Sequence, residues 1–317
     1  MPVHTRVLRP GGLSGAERDI WDALLRADPS LSSPFLTPEF ALAVDAARDD
    51  ARVAVIGDAE RPDAFFAFST LHDGAGTPIG ATICDAQALI AREGFDWNAP
   101  ELVRDIGLTS WSFDHLVATQ EPFARFHREL YSSPLVDLGS GHDAYLADVR
   151  ARSKDVLAQV ARRRRKLGRE VGDVVVEWET HDDGALDTLL AWKSAQYRET
   201  GVWDRFDQPW IVEVVRSLAK TTSEGLTGLL STLRAGDHMV AVHFGLLGRD
   251  RLVWWFPAYD AAFGNYSPGL ILLLDLVAEA AARGLTFVDL GRGEHHYKLR
   301  VANRAYDVAE GIVPAAE

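Results

Sequence analysis

The stretch Tyr259-Asp260-Ala261-Ala262-Phe263-Gly264-Asn265-Tyr266-Ser267-Pro268-Gly269-Leu270 has the residue types and spacing of a strand-to-helix anion site. Ser267 suits an N-cap, and Pro268 suits the first helical position, where its missing N–H would be unpaired anyway. Gly264 and Gly269 let the backbone approach a ligand closely. Amides at a helix start, together with the positive end of the helix dipole, favour phosphate or pyrophosphate. The plain alternative is a capped core helix that binds nothing, because Ser-Pro at a helix start is common. Pro257, just upstream, cannot donate to a sheet ladder, so its strand is expected to leave its neighbour near the C-terminal end. Backbone groups freed there could pair with the amide-bearing arm of coenzyme A and polarise a thioester carbonyl. An edge strand with a bulge explains Pro257 equally well.

Acyl transfer to an amine also needs a base for the acceptor and an acid for the departing thiolate. Of ten histidines, His243 is the best placed, flanked by Val242 and Phe244 in an apolar strand where a charge is costly unless the ring faces a cleft. A satisfied core histidine fits the same pattern. Asp260 could orient the acceptor or assist the base, although an aspartate after a strand is often only a turn former. Trp192, Lys193, Gln196 and Tyr197 share a helical segment that could line the acceptor side with Tyr259, with Trp192 reading more readily as core. Glu294, His295 and His296 invite a zinc reading, but successive residues of an extended loop point apart and no third ligand is spaced to join them, so no metal is expected. Cys84 sits among apolar neighbours and reads as core.

These residues need elements to hold them. The turns Ala235-Gly236-Asp237 and Gly248-Arg249-Asp250 divide an apolar region into an antiparallel meander with strands Leu226 to Arg234, His238 to Leu247 and Arg251 to Tyr259. Before it, helical spacing marks Ala185 to Thr200 and Pro209 to Lys220, and Asp173 to Glu179 reads as a strand. After it come a helix from about Gly269 to Arg283, a short strand Thr286 to Leu290 and a strand around Arg304 to Glu310. The first half gives a similar order: a strand Val3 to Leu8, helices Gly15 to Ala27 and Pro38 to Ala47, and strands Ala51 to Gly57, Ala64 to His72 and Thr77 to Cys84. A helix Ala99 to Ile106, a strand Ser112 to Ala118, a helix Phe123 to Tyr131 and a strand Leu135 to Leu138 follow. The order repeats at an offset of about 170 residues, without repeated residue identity. Between the halves, Ser153 to Arg169 reads as a linking helix whose basic face holds Arg162-Arg163-Arg164-Arg165-Lys166. That face is either solvated and set against acidic parts of the same protein, or a cradle for phosphate on coenzyme A, tRNA or an anionic substrate.

A chain of 317 residues with 47% hydrophobic and 25% charged content accommodates two globular domains. One cysteine permits no internal disulfide, and Met1 to Arg6 leads into no signal-length apolar core, so a cytoplasmic location is expected. The apolar stretch Leu270 to Ala282 is shorter than the roughly 20 residues of a membrane span and carries Asp275 and Glu279. A formal charge of −13 repels nucleic acid and anionic lipid over most of the surface, which points to a small-molecule or protein substrate.

The element order from Asp173 onward resembles the GNAT acyltransferase superfamily. Trp254-Trp255-Phe256-Pro257-Ala258-Tyr259-Asp260 through Tyr266-Ser267-Pro268-Gly269 is similar to the CelD-type acetyltransferases named for cellulose biosynthesis. So are Phe287-Val288-Asp289-Leu290-Gly291-Arg292-Gly293, Tyr297-Lys298 and Pro34-Phe35-Leu36-Thr37-Pro38-Glu39-Phe40. The resemblance covers nearly the whole chain and implies an α/β (α+β) fold of two tandem GNAT-like domains, each a mixed, mostly antiparallel sheet flanked by helices. Residues 1–140 would form a degenerate domain without a cofactor site, since Asp85 to Asn98 lacks the Ser-Pro-Gly helix start. Residues 141–317 would form the acyltransferase domain, beginning with the basic helix 153–169. The implied co-substrate is acetyl-CoA or another acyl-CoA, held by Trp255, Phe256, Tyr266 to Leu270 and Lys298. Tyr297 would serve as the thiolate acid, and the acceptor would be a small molecule or saccharide. Fem-type relatives by fold use aminoacyl-tRNA instead of coenzyme A, which makes tRNA the alternative donor. A non-catalytic scaffold with two degenerate halves is the third reading.

Overall fold

The computed structural model describes residues 4–58, 60–153, 155–180, 182, 184–293 and 295–317. The chain divides into two compact units, one running up to Ser132 and including Asp307–Glu317, the other Ser133–Tyr306. This division differs from a boundary at 140/141, because the last residues of the chain belong with the first unit.

The first unit starts with β1 (Thr5–Leu8), α1 (Gly15–Ala27) and α2 (Pro38–Ala47), then β2 (Ala51–Gly57), β3 (Pro62–Thr70), β4 (Ala75–Pro78) and β5 (Ile90–Ala91). It continues through α3 (Ala99–Asp105) and β6 (Ser110–Val117). Ser14 and Glu17 form a reciprocal capping box at the start of α1, satisfying two amides that a helix end otherwise leaves open. Strands β1 to β4 pair antiparallel in sequence order, and β4 pairs parallel with β6. Between Val308 and Pro314 the C-terminal strand closes this sheet, antiparallel to β6. Its core holds Phe66, Phe68, Trp111, Phe113 and Phe123.

The remaining elements are β7 (His127–Asp137), α4 (His142–Arg152), α5 (Val156–Glu170), β8 (Val174–Glu177), α6 (Ala185–Thr200) and α7 (Pro209–Leu218). Then come β9 (Thr227–Ala235), β10 (His238–Leu247), β11 (Arg251–Tyr259), α8 (Pro268–Ala282), β12 (Phe287–Asp289), α9 (His296–Val301) and β13 (Arg304–Pro314). In the second unit β8 to β11 pair antiparallel in sequence order, β11 pairs parallel with β12, and residues 135–137 of β7 pair antiparallel with β12. Each unit therefore repeats one pattern: a strand, two helices, a meander, a helix, a parallel strand and one further antiparallel strand. The mixed sheets with helical flanks agree with the fold class read from the sequence.

Two assignments are corrected. The strand expected over Thr77 to Cys84 ends at Pro78, because Gly80 turns left-handed and Ala81–Ile83 forms a 3-10 turn. Phe123 to Tyr131 forms a short 3-10 turn, Glu121–Phe126, followed by β7, where a helix was expected. The β-formers Leu130, Tyr131, Leu135 and Val136 around Ser132-Ser133-Pro134 favour the strand. Helices α4 and α9 carry weak apolar periodicity and were not legible.

The core of the second unit gathers α4, α5 and α8 against the sheet, with Leu233, Val240, Leu252, Ile271, Leu272, Leu276 and Val288 all at 2% exposure or less. The apolar run in α8 is therefore a packed helix, and no helix among the described residues is long and apolar enough to cross a membrane.

Candidate functional site

Strand β12 pairs with β11 over three residues only, Arg251, Leu252 and Val253 opposite Phe287, Val288 and Asp289. It stops because Asp289 Oδ1 accepts from the Gly291 amide at 2.9 Å, and Gly291 adopts φ 72°, a turn conformation glycine enters without strain. Beyond Val253, β11 stays paired with β10 as far as Tyr259, so its other edge is open. The opening lies where Pro257 was expected to produce one, but Pro257 is not its cause. That residue remains in register opposite His243, and the departure begins at Trp254.

The register also gains one residue there. Phe244 faces Phe256 while Leu246 faces Val253, so Trp254 and Trp255 together oppose Gly245. Such a bulge bends the strand and redirects its peptide groups. Position 245 has to be glycine: a Cβ there would sit 2.3 Å from the Val253 carbonyl oxygen.

The end of β11 leads into a 3-10 turn, Ala261–Tyr266, and then into α8. Asp260 Oδ1 accepts from the Ala262 amide at 2.9 Å, starting that turn. Ser267 occupies the position before α8, but with φ 52° and ψ 54°, a left-handed conformation costing a non-glycine residue about 1 kcal/mol. Its side chain does not cap α8, contrary to the sequence reading. Its Oγ accepts from Arg163 Nη1 on α5. The helix start is thus left without a side-chain cap, and a Cβ added at Gly269 would meet only Tyr259 Cδ1, at 3.8 Å. Tyr259 also lies 3.8 Å from a Cβ built at Gly264, so the open strand end and the turn lie side by side. On the same helix as Arg163, Arg164 pairs with Asp275 of α8, and Lys166 lies 5.3 Å from the Tyr266 ring centroid. Tyr266 donates to Glu170 at 2.7 Å, which raises its pKa.

Helix α6 covers the opposite side of β11. Lys193 Nζ donates to the Pro257 carbonyl at 3.1 Å and to Gln196 Oε1 at 3.1 Å, and sits 5.2 Å from the Tyr197 ring centroid. Burial first, then the charges of Arg205 and Lys298, push the Lys193 pKa down to about 8. Gly201, left-handed at φ 68°, ends α6, and Asp204 fixes the following loop by accepting from Ser194, Arg198 and the Phe206 amide. That loop brings Arg205 over Tyr197 and packs Phe206 edge-on against Phe256. Trp255 and Phe256 are 9% and 4% exposed, so it is the backbone of this segment, more than its rings, that faces the open edge.

The family model described as an acetyltransferase (GNAT) domain matches residues 154–299. The structure is similar to FemX, with 10% identity, a TM-score of 0.60 and coverage of 97% of this chain and 96% of that one. It is similar to the C-terminal domain of a protein from Agrobacterium fabrum described as a lysylphosphatidylglycerol synthetase, with 12% identity, TM-score 0.58 and coverage of 94% and 91%. A tandem GNAT protein from the clavulanic acid biosynthesis pathway matches with 11% identity, TM-score 0.52 and coverage of 99% of each chain. The fold is that of the GNAT acyltransferases. No curated protein matches the sequence.

Within this GNAT fold several expected site residues take other roles. His243 does not face a cleft. It is 0% exposed, stacked on Trp254 at 4.1 Å, and neither ring nitrogen makes a well-formed hydrogen bond. Burial pushes its pKa down to about 3, and the nearby Val253 carbonyl offsets this only slightly. A ring this enclosed and this reluctant to protonate is core, not a base. Asp260 serves the turn. Lys298, expected to contact phosphate, is 7% exposed and donates to the carbonyls of Gly291 and Arg292, each at 3.0 Å. It secures the loop that ends β12.

Tyr297 is half-buried beside Trp254. Burial raises its pKa, while the Trp254 indole pulls it down by less; their contact falls outside good hydrogen-bond geometry, since Trp254 Nε1 has no well-formed partner. It lies next to the residue where β11 leaves β12. Glu294 lies outside the described residues, and among these no cluster of three or more His, Cys, Asp or Glu could hold a metal ion.

Three further residues emerge from the geometry. Arg163 was legible only as part of a basic run, and its partner Ser267 could not be read from local sequence. Asp289 and Arg251 are 3% and 8% exposed, their charges 3.8 Å apart, and Tyr306 donates to Asp289 at 2.6 Å. This buried network pins the paired start of β11 and β12.

Proposed function

We propose that the unit Ser133–Tyr306 is an acyl-CoA-dependent acyltransferase, acting on a small-molecule or saccharide acceptor from the α6 side. The observation that carries this reading is the adjacency of the open edge of β11 to the uncapped start of α8, joined by Tyr259, with Arg163 at the same turn. The diphosphate of coenzyme A suits the amides of Gly269 and Leu270 and the field of α5. Its amide-bearing arm suits the edge from Trp254 to Tyr259 that β12 does not pair with, which would bring a thioester near Tyr297 as the thiolate acid. The CelD-like motifs at Trp254 to Asp260 and Tyr266 to Gly269 fall on these two features.

The reading assigns no equivalent site to the first unit. Its corresponding helix α3 is capped by its own chain, Asn98 Oδ1 accepting from the Glu101 amide at 3.3 Å. Isothermal titration with acetyl-CoA tests the reading. One strong site is expected in the wild type and at least about tenfold weaker binding in Gly269→Glu, whose carboxylate would oppose the diphosphate. A wild type that binds neither coenzyme A nor acetyl-CoA sinks it.

A second reading, aminoacyl-tRNA as donor, is favoured by one observation. Arg162, Arg165 and Arg169 on α5 are exposed and form no ion pair among the described residues. The formal charge of −13 weighs against it.

A further inference from the structure

With His243 enclosed and Asp260 holding a turn, neither residue that the sequence offered as a base is placed to take the acceptor's proton. We propose that Lys193, at the open edge of β11, takes the proton from the acceptor's nucleophile. This inference rests on the acyl-transfer reading.

The placement is specific. Nζ reaches Pro257, within the segment of β11 that β12 has left, from a helix that packs on β11 and takes no part in the core cluster holding α8. The side chain is held by three neighbours, the Pro257 carbonyl, Gln196 Oε1 and the Tyr197 ring. Its surroundings favour the uncharged form. The amine is largely withdrawn from water, and the charges bearing on it from neighbouring elements are both positive, Arg205 from the loop after α6 and Lys298 from α9. On its own helix, Arg198 is engaged with Asp204 and does not compete for it. A proton acceptor works best when its pKa lies near the working pH, and the value of about 8 for Lys193 meets that condition where His243 does not.

The step balances. The nucleophile's lone pair forms the bond to the acyl carbon, and its N–H or O–H proton passes to Nζ. The C–S bond breaks with its electron pair on sulfur, which takes a proton from Tyr297 or from water. The resulting Lys193 ammonium keeps its bonds to Pro257 and Gln196, and returns its proton to solvent.

Two measurements test the assignment. In competitive labelling with acetic anhydride, followed by mass spectrometry of the Lys193 peptide, modification should rise with a midpoint near pH 8 and slow under saturating coenzyme A. A midpoint equal to that of a free lysine peptide, or labelling indifferent to bound coenzyme A, overturns the proposal. Lys193→Arg stays protonated, so thiol release from acetyl-CoA should fall about a hundredfold while the affinity for acetyl-CoA changes less than about threefold. Thiol release unchanged in Lys193→Arg also overturns it. If the wild type binds no acetyl-CoA, the acyl-CoA reading fails; if it binds but Lys193 labels as an ordinary lysine, only the proton-acceptor assignment fails.

Discussion

Arg163 donates to the hydroxyl of Ser267, a residue 104 positions further along the chain, and this bond takes the serine away from capping α8. Local rules favour a serine there accepting from the first-turn amides. Instead the backbone is left-handed and the side chain turns to α5, leaving the helix start open while a positive charge stands beside it. Ser267→Gly should therefore leave the melting temperature unchanged or slightly raised, because glycine relieves about 1 kcal/mol of backbone strain. It should weaken acetyl-CoA binding, because Arg163 loses the partner that positions it. Differential scanning calorimetry and titration on the same variant check both. Lower stability with unchanged affinity would contradict this account.

The enclosure of His243 predicts an acid-sensitive fold. Its folded pKa of about 3 lies below the ordinary histidine value of 6.5, so between these values the unfolded chain binds a proton that the folded chain refuses. Stability from this residue is fully present above pH 6.5 and is lost as the pH falls toward 3, at up to about 1.4 kcal/mol per unit. His243→Leu should flatten that limb in urea denaturation measured across the window. Turnover at neutral pH should stay within about twofold of wild type, since the ring is core and not a base.

Lys193 is coupled to the charges around it. Arg205→Gln removes a positive neighbour, so the Lys193 pKa should rise above about 8 and the labelling midpoint should move to higher pH. If thiol release from acetyl-CoA depends on the uncharged amine, its pH profile should shift in the same direction. Arg205 also lies 5.7 Å from the Tyr197 ring centroid, so melting curves are needed to show that the shift is electrostatic and not a collapse of the loop.

The meander, α6, α7 and α8 were legible because each combines a clean period with a turn signal, such as Ala235-Gly236-Asp237 or Gly201. The anion turn was legible in place but not in conformation. Sequence rules describe Ser267 by its neighbours, whereas its geometry is set by Arg163, which is distant in sequence. Local rules attribute the opening beside β11 to Pro257, because proline is the local breaker. Its cause is the short β12, ended by the Asp289–Gly291 contact, with the bulge at Trp254 and Trp255. His243 illustrates the same limit from the other side. A histidine in an apolar strand is ambiguous until the packing over it is known, and here Trp254 covers it. The C-terminal strand was legible as a strand, but its membership in the first unit was not, because pairing between Val308 and Val117 leaves no mark in either segment alone.

The two donor readings separate on salt. Coenzyme A presents few phosphates, whereas a tRNA acceptor stem would engage several of Arg162, Arg165 and Arg169 and release a counterion for each contact. If acyl-CoA is the donor, the triple substitution of these arginines by glutamine should change the acetyl-CoA affinity by less than about threefold, and any retention of tRNA by the wild type should be weak at physiological salt. If aminoacyl-tRNA is the donor, the logarithm of its affinity should fall steeply with the logarithm of salt concentration, and the triple variant should reduce that slope by about two to three. Filter binding of bulk tRNA across a salt series, run beside acetyl-CoA titration of both proteins, distinguishes the outcomes. Arg163 is left intact in this variant, so the Ser267 turn stays as it is and the comparison reports the outer face of α5 alone.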